Sequence, residues 1–173
     1  MAGEQENLKK LVEACAGRLR LVKEFAGVTG KITEALESKS EEAADIIDGL
    51  TAEREELLAK IKEADAEARQ CESRLGESHG RLLSEIKAAA RGGGAPPGFK
   101  QEWAAYLLKN FTEYKAAAAG IKEADSKNME AAKVMLKAME GKLKAVKENK
   151  RMMGKFSDGL ESPAVGILMN EKK

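Results

Sequence analysis

Apolar residues recur at helical spacing over three stretches, Asn7 to Ser38, Glu41 to Leu75 and Gln101 to Phe156, with one proline-containing break between the second and the third. In the first, Leu8, Leu11, Val12, Cys15, Leu19, Val22, Phe25, Thr29, Ile32 and Leu36 follow one another mostly at steps of three and four. That spacing gathers them on one face of a helix that needs a partner. The second stretch keeps a heptad through Ala43, Ile47, Leu50, Arg54, Leu57, Ile61, Ala64, Ala68, Cys71 and Leu75. At ~1.5 Å per residue each of these helices is roughly 50 Å long. Equal lengths and the short Ser38-Lys39-Ser40 connection, with Ser40 as the candidate N-cap, predict an antiparallel pair.

Beyond Leu75 the pattern weakens at Gly76 and Gly80, although Arg81 to Ala90 can still make a few helical turns. The run Gly92-Gly93-Gly94-Ala95-Pro96-Pro97-Gly98 then reads as a flexible crossover over about 91–100. It is not a phosphate cradle, because no strand precedes it and no Gly-Lys-Ser/Thr ending follows. The third stripe passes through Trp103, Leu107, Phe111, Tyr114, Ala118, Ile121, Asp125, Asn128, Ala132, Met135, Met139, Leu143, Val146 and Met153. Unbroken, it would span about 85 Å at ~1.5 Å per residue, so the hairpin covers only part of it. A bend is expected at Gly120, with Gly141 and Gly154 as further candidates, since glycine costs ~1 kcal/mol relative to alanine inside a helix. The expected fold is all-α: an elongated antiparallel helical hairpin plus a long third helix, a three- to four-helix, coiled-coil-like bundle. Residues 1–156 form a single domain, and 157–173 a flexible tail.

Composition narrows this picture. The 173 residues are 43% hydrophobic but only 4% aromatic, and 34% are charged, which suits a thin seam between long helices better than a wide core. The net charge of +1 conceals a division: Met1 to Ala90 holds 14 Lys and Arg against 19 Asp and Glu, and Arg91 to Lys173 holds 16 against 10. An acidic hairpin neutralised by a basic third helix accounts for it without nucleic acid, for which aromatic-basic interleaving is missing. Cys15 and Cys71 sit on apolar stripes as small hydrophobes, and a single histidine makes a zinc site improbable. A reducing cytoplasm follows, and neither a signal peptide nor a run of ~20 apolar residues indicates export or membrane insertion.

No catalytic constellation stands out, and no cofactor, metal or enzymatic activity is expected. His79 lacks a Glu-x-x-His partner and reads as a solvated helix-end or loop residue, while Glu41-Glu42 and Glu55-Glu56 read as solvent-facing charge. Two features point to binding instead. One is a methionine-rich surface of Met129, Met135, Met139, Met152 and Met153, with Leu136, Leu143, Val146 and Phe156 beside it; these residues either pack inside the bundle or bind a partner, and the excess length of the helix favours the second, for which methionine's adaptable shape suits it. The other is the tail, which carries Leu160, Val165, Ile167, Leu168 and Met169, apolar residues that need a surface to cover, either by folding back on the bundle or by docking on another protein.

The opening helix ending Glu34-Ala35-Leu36-Glu37, a second helix with Leu50, Arg54, Glu55, Leu57 and Leu58, a loop, and a long last helix with Leu143, Val146, Asn149 and Met152-Met153 resemble the FlgN family of flagellar export chaperones. That family often has two asparagines near the end of its last helix, where only Asn149 stands here. The resemblance implies a cytoplasmic chaperone of type III protein export. It would hold the amphipathic C-terminal helix of hook-filament junction (hook-associated) proteins, prevent premature assembly and deliver them to the export gate or ATPase complex. The partner-binding positions expected are Met135, Met139, Leu143, Val146, Asn149, Met153, Phe156, Leu160, Ile167 and Leu168. The alternative is a non-enzymatic coiled-coil adaptor of another system, and a homodimer through the hairpin seam is a further arrangement to distinguish.

Overall fold

The computed structural model describes residues 2–38, 40, 42–92 and 100–160, with side chains between 3 and 152. Among the described residues there are four helices and no strand: α1 Ala2–Ser38, α2 Ala43–Ser73, α3 Glu77–Ala90 and α4 Glu102–Leu160. The all-α expectation holds. The chain divides into two compact units, Met1–Ala131 and Ala132–Lys173.

In the first unit α1 and α2 form the antiparallel pair, tied by Arg18 to Asp65 near one end, while the Arg54 guanidinium covers the Phe25 ring at 4.5 Å further along. Ser40 does not cap α2 with its side chain; Glu42 occupies the N-cap position, and the Ala43 N–H donates to the Ser40 carbonyl at 3.2 Å. The connection is closed by backbone, which leaves the serine hydroxyl no role there.

The weakly patterned stretch after Leu75 is a full helix. α3 needs only a narrow apolar face, since Leu83 and Ile86 alone supply its buried residues. They join Leu11, Ala14, Cys15, Ala68, Cys71, Ala104 and Leu107 in one core cluster, so four helices meet at this end. A second, smaller cluster of Phe25, Val28 and Leu57, with Ile121 packed against it, holds α1, α2 and α4 together where α3 has ended. Both cysteines are free and buried, and burial pushes the Cys15 thiol up to about 11.

Interhelical contacts fix the directions. His79 and Trp103 rings lie 5.8 Å apart, Lys87 reaches over Phe111 at 6.0 Å, and Lys115 Nζ donates to the Arg91 carbonyl at 3.1 Å. These three contacts advance together along both chains, so α3 and α4 are parallel. α4 is parallel to α1 as well, because Asn110 Nδ2 donates to the Cys15 carbonyl at 3.2 Å and Asn128 Nδ2 to the Thr29 carbonyl at 3.3 Å. α4 stays helical through Gly120 and Gly141, the positions at which a bend is expected, so neither glycine breaks the helix. A glycine penalty of ~1 kcal/mol is small beside the hydrogen bonds and packing of neighbouring turns.

His79 stands at a helix end, one of the two placements expected of it, but it is not freely solvated. It occupies the first turn of α3, half-buried, with Nδ1 2.7 Å from Glu4 Oε1; the same oxygen accepts the Gly76 N–H at 3.0 Å. A Cβ at Gly76 would meet that carboxylate and push it aside, at the expense of its bond to the Gly76 N–H. The expected neutralisation of an acidic hairpin by a basic α4 is also reversed where the helices touch: α4 supplies Glu113 to Lys23 and Asp125 to Arg54.

The two core environments generate a first prediction. Leu107 is fully buried and Leu143 is 56% exposed. Leu107→Ala should lower the unfolding free energy by about 2–5 kcal/mol through lost burial and a residual cavity. Leu143→Ala should change it by less than about 0.5 kcal/mol, both read by urea denaturation.

Acid should weaken the first unit by a defined route. The hydrogen bond with His79 holds the Glu4 carboxyl below its usual range. Burial pushes Asp65 up, but hydrogen bonds from Arg18 and Arg69 overcome it and hold that carboxyl low. Depressed folded values mean stability that is present above the ordinary carboxylate range and lost as the pH falls through the folded values. The urea midpoint should therefore fall between about pH 6 and about pH 3. Glu4→Gln should fall less steeply, and its deficit against the parent chain should be smaller at the acid end.

Candidate functional site

The second unit contains the continuation of α4 from Ala132, and its apolar residues are not withdrawn from solvent. Val134, Leu136, Met139, Leu143, Val146 and Met152 are between 46% and 66% exposed. Single exposed apolar residues are ordinary; their repetition along one helix is what makes this segment the candidate site.

Helical geometry arranges them. With 3.6 residues per turn, Ala132, Leu136, Met139, Leu143, Val146, Lys150 and Met153 fall in one row at alternating steps of four and three. Met135, Ala138, Lys142, Ala145, Asn149 and Met152 form the adjoining row on one side. On the other side Lys133, Lys137, Glu140, Lys144, Lys147 and Arg151 follow the first row residue by residue. The result is an apolar strip two rows wide with a basic margin. Over 132–152 there are seven Lys and Arg against two Glu, so the charge excess of the C-terminal half is concentrated here.

The expected partner-binding residues fall into three groups. Met139, Leu143, Val146 and Asn149 are exposed on the strip, and Met135 is half-buried. Met153, Phe156 and Leu160 belong to α4, but their side chains lie outside the described residues, as Ile167 and Leu168 do altogether. Leu136 and Met152 stand on the strip with them. Val134, the most exposed of the large apolar residues at 66%, was not among the expected positions; its place between the heptad rows gives no periodic signal.

This strip offers polarizable thioethers, aliphatic side chains and ammonium groups, and no hydroxyl, thiol or imidazole accompanies them over 132–152. Among the described residues no group of three or more His, Cys, Asp or Glu could hold a metal ion. None of the described helices is long and apolar enough to cross a membrane. Set against models of known protein families, curated proteins and solved structures, the chain matches none.

Proposed function

We propose that this chain is a binding protein that presents the exposed strip of α4 to an amphipathic helix of a partner. The observation that carries the proposal is the set of large apolar side chains Leu136, Met139, Leu143, Val146 and Met152 on the strip, each close to half exposed or more. A partner helix laid along Leu136, Met139, Leu143 and Val146 would bury them by helix-to-helix packing, and methionines would adjust to its side chains. The basic margin of Lys137, Lys144, Lys147 and Arg151 favours a partner with acidic flanks. It disfavours a parallel second copy of the same strip, since like charges would face each other.

The resemblance to the FlgN family supports a specific version of this reading. The chain would then be a cytoplasmic export chaperone that covers the C-terminal helix of hook-filament junction subunits before secretion and carries no enzymatic activity. Such a helix, built to pack inside a filament, exposes an apolar stripe that invites premature assembly. Covering it reversibly needs an accessible strip and no catalytic group. The export gate or ATPase complex would be the second partner.

The test is light-scattering chromatography and calorimetry of the full chain mixed with hook-filament junction subunits, and with their isolated C-terminal helices. A stoichiometric complex is expected. Met139→Asp combined with Leu143→Asp should weaken it about a hundredfold or more, because each places a charge in a desolvated contact. Helicity and the unfolding midpoint should stay close to those of the parent chain. Binding unchanged by the double substitution would reject the strip as the site, and absence of any complex with these subunits would leave the adaptor reading.

A further inference from the structure

α3 has 14 residues where α1 has 37, so the four-helix cross-section of the first unit ends at Ala90 and Arg91. A cleft of about 620 Å³ lies there, lined by residues of all four helices. Its walls include Ala68, Ala90 and Ala118, which leave the space open.

Cations dominate this cleft. Arg18, Arg69, Lys87, Arg91 and Lys115 line it against two carboxylates, Asp65 and Glu72, a net charge of +3. The two carboxylates act as struts. Asp65 accepts from Arg18 Nη1 and from Arg69 Nη2, each at 2.6 Å, and Glu72 accepts from Lys87 Nζ at 2.7 Å. The Arg18 guanidinium is further held over the Tyr114 ring at 4.4 Å, and its Nε is buried with no acceptor among the described residues. The last carbonyls of α3 are taken up within its own C-terminal turn. Arg91 N–H donates to the Lys87 and Ala88 carbonyls, and Gly92, at φ 95°, turns its N–H to Ala89.

We infer that this cleft binds a small multivalent anion of the phosphate class, the polyphosphate chain that a free tripolyphosphate and a nucleotide share. Guanidinium forks and ammonium groups converging from four helices match several phosphate oxygens at once, and no single carboxylate would satisfy them. The volume is that of a small-ligand pocket. A helix of another protein would need a longer groove, and the aromatic rings that line this one, Phe111 and Tyr114, already carry the Arg18 guanidinium and the Lys87 ammonium over their faces.

The site is independent of the strip on α4, and the experiment keeps the two apart. Isothermal calorimetry and amide NMR of the full chain would be run with tripolyphosphate, ATP and inorganic sulfate. Tripolyphosphate and ATP should bind with shifts centred on Ala68, Lys87, Arg91 and Lys115, and more tightly than sulfate. Arg69→Ala combined with Lys115→Ala removes two exposed side chains and should weaken binding about tenfold or more, the effect of losing ~1.4 kcal/mol of charged hydrogen bonding. Lys144→Ala with Lys147→Ala on the second unit should leave it unchanged. Equal affinity for the two ligands would assign the site to the phosphate chain alone; tighter ATP binding with shifted Tyr114 ring protons would add the nucleoside, and either supports the inference. No cleft-centred shifts at millimolar ligand, or a loss of binding in the Lys144/Lys147 variant instead, would overturn it.

Discussion

Two buried asparagines on α4 fix how the first unit is assembled. Asn110 and Asn128 are 3% and 8% exposed, and each donates its amide to a carbonyl of α1. They stand 18 residues apart on α4, which is five turns at 3.6 residues per turn, so both amides lie on one face. A buried amide that loses its partner costs about 1–3 kcal/mol, so a sliding or reversed α4 would be penalised at two places beyond what its apolar residues lose. Apolar contact sets how strongly α4 adheres; the amides set where. This is the role attributed to polar residues in coiled-coil seams, where they specify register at some expense of stability.

Parallel α1 and α4 have consequences for the rest. α2 returns antiparallel, α3 turns back again, and the connection after Arg91 must regain the starting end of the bundle before α4 begins at Glu102. α3 then fills the space between α2 and α4 for only 14 residues. Where it stops, the larger cluster built around Ile86 and Leu107 gives way to the smaller one built around Phe25 and Leu57, and the cation-lined cleft lies at that change. The cleft is thus a result of helix lengths, and its charge a result of seam residues that must leave an apolar face toward water.

The three long stripes made the helical fold legible, and they carried more than was read from them. Thr29, Arg54, Asp125 and Asn128 already stood at seam positions, polar residues in apolar rows. In the structure each makes a specific contact, Arg54 with Asp125 at 3.0 Å among them. Asn110 was hidden because Leu107, Phe111 and Tyr114 satisfy the helical period without it. α3 was hard to see because two buried residues suffice for a helix that three neighbours enclose, and glycines at 76 and 80 resemble a loop. The direction of α4 was not legible at all, since a connection of about ten residues reaches either end of a 14-residue helix. For the candidate strip, periodicity identified Met139, Leu143 and Val146, whereas exposure depends on which other helices pack against them, a tertiary fact.

Charge segregation completes the argument about that strip. Where α4 packs in the first unit, it contributes acids to the interhelical pairs, Glu113 and Asp125, and the hairpin contributes the bases. Of the bases in the C-terminal half, Lys115 ties α4 to the end of α3 through the Arg91 carbonyl, while seven Lys and Arg lie over 132–152 beside the exposed apolar residues. An amphipathic helix with such a margin attracts an acidic partner at long range and holds it by apolar contact at short range. Methionine suits the second step, because its unbranched side chain fits several surfaces without demanding one. A protein whose proposed work is to hold a partner and then release it gains from that arrangement, since electrostatic attraction speeds encounter while adaptable packing leaves dissociation accessible.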